Sequence, residues 1–282
     1  MMKLFRSGFR RYTKNIVFWI CLCVSVIVGL LIGISIKDSG YIDDTYIIAE
    51  FFIFPILVSL LLGREYSDGA FRNKIVTGHS KGKVFLSECV LSVIACLALY
   101  LSICFISIVM NVGVFLSLPI GVAIRFFLGF TLLHISIVVI LTVICMFIPR
   151  PAIMVVVSLL LVFGILAGAN SLYNSLSAPE TFTKYEIDEN GKRRPTDEVI
   201  ENPHYVGGAK REIYTAFYYS LPAGQMTEYV NLLSPYLKDN DNLPALNDED
   251  NYILNICPIY SIGVIAIILS IGYISFRKKD IK

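Results

Sequence analysis

The sequence predicts an all-α integral membrane protein with six transmembrane helices, and three observations carry that expectation. Hydrophobic residues make up 56% of the 282 positions and charged residues only 16%, where a soluble domain carries about a quarter charged residues. The charges are gathered into a few blocks between long apolar runs, the pattern a bilayer imposes. Every basic flank falls on one side once six crossings are drawn.

The first 15 residues form the opening element. On a helix over Lys3–Lys14, Phe5, Gly8, Phe9 and Tyr12 share a stripe with Leu4 beside it, while Lys3, Arg6, Arg10 and Lys14 spread over the other side. Such a basic amphipathic helix lies in the cytoplasmic headgroup plane. Six apolar segments follow, at 16–36, 45–63, 84–109, 120–148, 152–173 and 252–276, each close to the ~20 residues a crossing needs. The first exceeds the roughly 7–15 residues of a signal-peptide core, and no small-x-small cleavage site precedes Lys37, so it reads as a retained span. Pro149-Arg150-Pro151 separates the fourth and fifth spans. Proline lacks the helix donor and pushes its predecessor out of the helical region, which makes a tight turn there.

Orientation follows from the flanks. Lys3, Arg6, Arg10, Arg11 and Lys14 precede the first span; Arg64, Arg72, Lys74, Lys81 and Lys83 fill the 64–83 loop; Arg150 and the tail Arg277, Lys278, Lys279 and Lys282 complete the set. The 110–118 connection is uncharged, and the 37–44 loop sets one lysine against Asp38, Asp43 and Asp44. Both termini are therefore expected in the cytoplasm. The chain divides into the interfacial helix 1–15, a transmembrane unit 16–173 with the cytoplasmic loop 64–83, an external segment 174–251, and a last span with its basic tail, 252–282. The external segment holds 14 acidic residues against seven basic ones. It carries turn material at Asp188–Gly191, Asn202-Pro203 and Gly207-Gly208, and a more apolar stretch, Arg211–Leu233, expected to form short helices broken at Pro222. The remainder reads as loop or a small, weakly packed ectodomain. All seven cysteines lie in or beside apolar segments, so disulfides do not staple the external part and the thiols read as small apolar side chains. The net charge of +2 gives no argument for nucleic acid.

Three sets of residues stand out. In the 64–83 loop, Ser67 or Asp68 is placed to cap a short helix, Phe71 and Ile75 face the same way between Arg72 and Lys74, and Gly78 ends it. Its apolar face is expected to be open to a soluble partner. Gly78-His-Ser-Lys-Gly82-Lys83 imitates a phosphate loop, but three residues separate the glycines and Val84 stands where Ser or Thr is needed. No ATP site of the chain's own is expected, nor any enzyme activity without a separate subunit. The second set is the ionisable residues in or near spans, Glu50, Glu88, Arg125 and His134, which are costly in lipid. Glu88 is expected to reach the interface beside Lys83, and Arg125 to snorkel from the external end. Glu50, Arg125 and His134 are the candidates for a pathway or substrate role, too scattered to form a proton relay. The third set is Gly29-x-x-x-Gly33 and Gly164-x-x-x-Gly168, where small residues let helices approach within or between subunits.

The order of these features resembles a family. An amphipathic helix precedes six spans; the second span runs into Arg64-Glu-Tyr-Ser-Asp-Gly-Ala-Phe-Arg-Asn-Lys74; Tyr218-Tyr-Ser-Leu-Pro-Ala-Gly-Gln225 precedes the last span; and the chain ends Phe276-Arg-Lys-Lys-Asp-Ile-Lys282. Over nearly its whole length the chain resembles the permease subunit of ABC-2 type ABC transporters, as in bacterial exporters and antimicrobial-peptide resistance systems. The resemblance implies a coupling helix containing Glu65, Gly69, Phe71, Arg72, Asn73 and Lys74 that docks on a separate ATPase present in two copies. ATP and magnesium would sit on that subunit, and this chain would hold no cofactor. It also implies a second permease subunit, as homodimer or heterodimer, a pathway lined by the second and fifth spans, and residence in the bacterial plasma membrane. The long external segment departs from the short re-entrant hairpin of many members. The function expected is export of an amphipathic substrate, most simply a peptide. The alternative is a membrane sensor whose external segment recognises a ligand without transport.

The topology has a direct test. In a cysteine-free background, a single cysteine at Asn190 is expected to react with an impermeant thiol reagent in intact cells, and one at Ser80 only after lysis. Labelling of both from outside refutes six crossings with cytoplasmic termini.

Overall fold

The computed structural model describes residues 2–42, 44–187, 193–238 and 246–279. In chain order the elements are α1 (Met2–Thr13), α2 (Ile16–Ser39), α3 (Asp44–Ser67), α4 (Ala70–Val76), α5 (Lys81–Met110), α6 (Val112–Ser117), α7 (Ile120–Cys145), α8 (Pro151–Leu176), β1 (Thr181–Ile187), β2 (Arg193–Glu201), α9 (Gly208–Ser220), α10 (Pro222–Lys238) and α11 (Asp248–Lys278). Five of them, α2, α5, α7, α8 and α11, are long and apolar enough to cross a membrane. The segment expected as the second span forms α3, whose 24 residues extend roughly 36 Å at 1.5 Å per residue. It is enclosed on most sides. Phe51, Phe54, Leu57, Val58, Leu61 and Leu62 are each at most 3% exposed, and α2, α5, α7 and α8 all pack on it.

The contacts define two ends of the bundle. At one end α1, the close of α3, α4, the start of α5 and the close of α11 meet. There Arg11 bonds Glu65, and Lys81 Nζ donates to the Lys279 carbonyl at 2.6 Å. This end gathers Arg10, Arg64, Arg72, Lys81 and Arg277, so the charge asymmetry read from the sequence is a property of the folded chain. Arg125 Nη1 donates to Asn251 Oδ1 at 2.8 Å at the other end, where Asn111 also reaches Gly33.

Local chemistry explains most boundaries. Pro151 opens α8 at its first turn, where the missing donor costs nothing. Asn247 and Asp250 form a capping box that starts α11, four residues before the expected edge of that span. Gly78 takes φ 90° just beyond α4, as expected of a helix-ending glycine. Gly69 precedes α4 with φ 64°, so the expected caps Ser67 and Asp68 do not serve. Ser67 instead donates back to the Gly63 carbonyl, and Asp68 pairs with Arg64.

Helix α1 forms as expected, with a shifted inner stripe. Leu4, Gly8 and Tyr12 are buried, while Phe9 is 46% exposed and stacks on Phe5. Gly29 and Gly33 seat α2 against α5. A Cβ at Gly29 would lie 3.0 Å from the Ile103 carbonyl oxygen, and one at Gly33 2.6 Å from Met110 Sδ. Ser107 Oγ and Asn111 Nδ2 donate to the Gly29 and Gly33 carbonyls at 3.0 and 2.9 Å. This glycine pair packs within the subunit. Gly164 has nothing within 4 Å of a Cβ.

The segment 174–251 adds detail to the helical fold: β1 and β2 pair antiparallel from Thr181↔Glu201 to Ile187↔Arg193, a single hairpin beside the helices. The turn expected at Asp188–Gly191 lies outside the described residues. The more apolar stretch Arg211–Leu233 falls in two helices, as expected. Helices α9 and α10 break at Leu221, whose ψ of 125° is the extended backbone that a following proline imposes. Helix α10 then sinks among α7, α8 and α11. Tyr229 is fully buried, its ring 5.2 Å from Phe130 and against Gly129, where a Cβ would meet its hydroxyl. Gln225 donates to the Tyr219 carbonyl at 2.6 Å and accepts from Ser261 Oγ at 2.7 Å. The uncharged 110–118 connection contains the short helix α6.

Gly29→Leu is expected to destabilise the isolated subunit by about 1–3 kcal/mol, the usual cost of overpacking. Gly164→Leu is expected to leave it unchanged. Thermal unfolding of both variants in detergent tests the assignment, and equal shifts refute it.

Candidate functional site

The αL turn at Gly69 directs α4 so that Lys74 faces inward. Its Nζ lies 2.6 Å from Glu65 Oε2 on α3 and 2.5 Å from Glu88 Oε1 on α5. Lys74, Glu65 and Glu88 are 6%, 5% and 0% exposed. Helix α1 completes the cluster. Arg11 Nη1 donates to both Glu65 oxygens at 3.1 and 3.0 Å, and Tyr12 Oη donates to Glu88 Oε2 at 3.2 Å. Two cations face two carboxylates, so the group is neutral as a whole. Burial and the neighbouring Glu88 carboxylate hold the Tyr12 phenol well above its ordinary range, which keeps it a donor. Buried ions are tolerated only when paired and hydrogen-bonded this fully.

An aromatic layer seals the cluster. The Phe71 ring lies 4.4 Å from Tyr66 and 6.4 Å from Phe276, with Lys74 Nζ 5.5 Å from its centroid. Lys279 Nζ donates to Tyr66 Oη at 3.0 Å and to the Met146 carbonyl at 2.9 Å, which ties the ends of α11 and α7 to α3. Burial lowers the Lys279 pKa. Phe71 is only 1% exposed. The open apolar face expected of Phe71 is therefore closed by the chain's own Tyr66 and Phe276. The outward face of α4 is Arg72, Asn73 and Val76, the last 76% exposed.

Of the residues singled out in the sequence, Glu65, Phe71 and Lys74 thus meet inside, Arg72 and Asn73 lie outside, and Gly69 sets the turn. Glu88 does not reach out beside Lys83; it is the second carboxylate on Lys74. Arg11, Tyr12, Tyr66 and Lys279 belong to the site and were not singled out as such. The only sequence signal for them was their place at the ends of basic or amphipathic segments.

A second polar site lies towards the opposite end. His134 Nε2 is 3.0 Å from Glu50 Oε1, with the side chains 2% and 4% exposed. The imidazole stacks 4.2 Å from Tyr100 and meets Phe54 edge-on at 5.5 Å, and its Nδ1 lies 2.5 Å from the Phe130 carbonyl. The expectation that these residues are scattered is thereby corrected for Glu50 and His134, which α3 and α7 bring together. Arg125 stays apart on Asn251.

Lys74→Met is expected to cost about 3–5 kcal/mol, because Glu88 then stays buried without its cation. Adding Glu88→Gln removes that charge and is expected to recover part of the loss in thermal unfolding. A neutral single variant refutes the cluster's structural role.

Comparison with protein-family models, with curated proteins and with solved structures finds no match to this chain.

Proposed function

We propose that the chain is the permease subunit of an ATP-driven exporter of the ABC-2 type, with α2, α3, α5, α7, α8 and α11 as six spans and both termini in the cytoplasm of a bacterial cell. The observation that carries this reading is the fixing of α4. A seven-residue helix stands at the basic end with Arg72, Asn73 and Val76 outward, while Lys74 fastens its inner side to α3 and α5. A partner that moves the outer face moves two long helices, because separating Lys74 from either carboxylate leaves a buried charge unpaired. This is the mechanical requirement of a coupling helix.

The α9–α10 pair gives further support. It breaks at Pro222 and enters between α7, α8 and α11, which narrows the departure from the re-entrant hairpin of the resembled family. In this reading ATP binding to a separate dimeric ATPase shifts two permease subunits between inward and outward arrangements. The substrate is amphipathic, and a peptide fits the acidic external segment.

Purification from native membranes is expected to bring down a subunit with a phosphate-binding loop. Arg72→Glu with Val76→Glu is expected to weaken that association about thirtyfold, or about 2 kcal/mol, without lowering thermal stability. Phe71→Ala is expected to lower stability by about 3–5 kcal/mol as a core truncation. Absence of an ATP-hydrolysing partner from the wild-type preparation refutes the assignment.

A further inference from the structure

Glu50 and His134 stand at the inner wall of an apolar cavity of about 490 Å³, within the 300–1,000 Å³ usual for small-molecule sites. Its walls come from α2, α5, α6, α7 and α10, with Ile32, Phe126 and Met226 among them. The mouth is hydrocarbon: Leu116, Ile124 and Phe127 line it and are 79%, 51% and 46% exposed. A guest that enters there has an apolar body.

The Phe130 carbonyl only accepts, so His134 Nδ1, 2.5 Å away, donates to it. The imidazole then turns its Nε2 lone pair towards Glu50 Oε1, 3.0 Å off, and two lone pairs at that distance call for a donor between them. Neither Oε1 nor Nε2 has an aligned hydrogen bond, which is costly for buried polar atoms. Each keeps room for a donor. Among the described residues, the other titratable groups facing the pair are Tyr100 and Cys104 on α5; α2, α6 and α10 present apolar side chains to the cavity.

We propose that this cavity binds a membrane-partitioned primary amine, its ammonium donating to Glu50 Oε1 and His134 Nε2 and its hydrocarbon body filling the apolar chamber. The ammonium supplies the donor that the two lone pairs lack, and its charge meets the Glu50 carboxyl group. A neutral guest brings no such charge.

The test uses the full chain in nanodiscs without any ATPase, so its outcome is independent of the coupling assignment. The probe is decylamine with a chain-terminal diazirine, crosslinked by light and mapped by peptide mass spectrometry. Labelling is expected on α7 and α10, displaced by decylamine and far less by decanol or decyltrimethylammonium, which cannot donate three N–H bonds. Glu50→Gln is expected to lower apparent affinity at least tenfold. Should Glu50→Gln fail to fold, Ala123→Phe, which fills the chamber from its half-buried wall, is expected to abolish labelling. Equal competition by decanol, or equal competition by the quaternary amine, overturns the proposal.

Discussion

The burial of one ammonium, that of Lys74, fixes the arrangement of the basic end. Lysine is the residue that most often escapes to water through its flexible stem. Here the stem is held under the Phe71 ring and the charge sits between carboxylates from two different helices. Because the two carboxylates carry two charges, Lys74 alone does not balance them. Arg11 supplies the second cation and Tyr12 the remaining donor, so α1 is drawn from the surface into the bundle. Four elements are thus committed by one electrostatic condition. Remove any member and a charge stays in a low-dielectric setting without its partner, which penalises every arrangement other than the one observed.

Helix α3 links this cluster to the other polar site. Glu65 and Glu50 are fifteen residues apart on it, roughly 22 Å along the axis, and Pro55 lies between them. Proline removes one backbone hydrogen bond from the ladder and crowds the preceding turn, so α3 is least stiff between Glu50 and Glu65. The helix is at the same time enclosed by apolar side chains on most of its length. A displacement at its basic end is therefore passed along a packed core rather than lost in lipid.

How far the sequence speaks for itself follows from the range of each interaction. Long apolar helices depend on composition over about twenty residues and were legible, as were the turn at Pro149–Pro151, the stop at Gly78 and the break at Pro222. The hairpin β1–β2 also had a local signal, alternation in Thr181–Ile187 before a turn-forming stretch, but it competed with a polar composition that reads as loop. The partners of buried charges were not legible. Glu65 meets Arg11 across fifty-four positions, and Glu50 meets His134 across eighty-four, separations no local pattern encodes. Phe71 shows the same limit. Its spacing from Ile75 reveals an apolar face, yet whether the chain itself or a partner covers that face depends on where Tyr66 and Phe276 fall.

The two buried polar groups differ in completeness, and that difference separates their roles. Around Lys74 every charge has its counter-charge and the phenol its acceptor. Nothing there is left for a guest, and the cluster's contribution is to hold helices in register. At Glu50 and His134 the contact is poorly aligned and faces open apolar space, so stability is not what it maximises. A chain that buried these two groups for structure alone would have aligned them, as it did Glu65 with Lys74. Residual capacity for hydrogen bonding beside an unfilled chamber is the condition for recognising a small molecule. The same sequence thus uses buried charge to immobilise one end of the bundle and to keep a binding chamber receptive at the other.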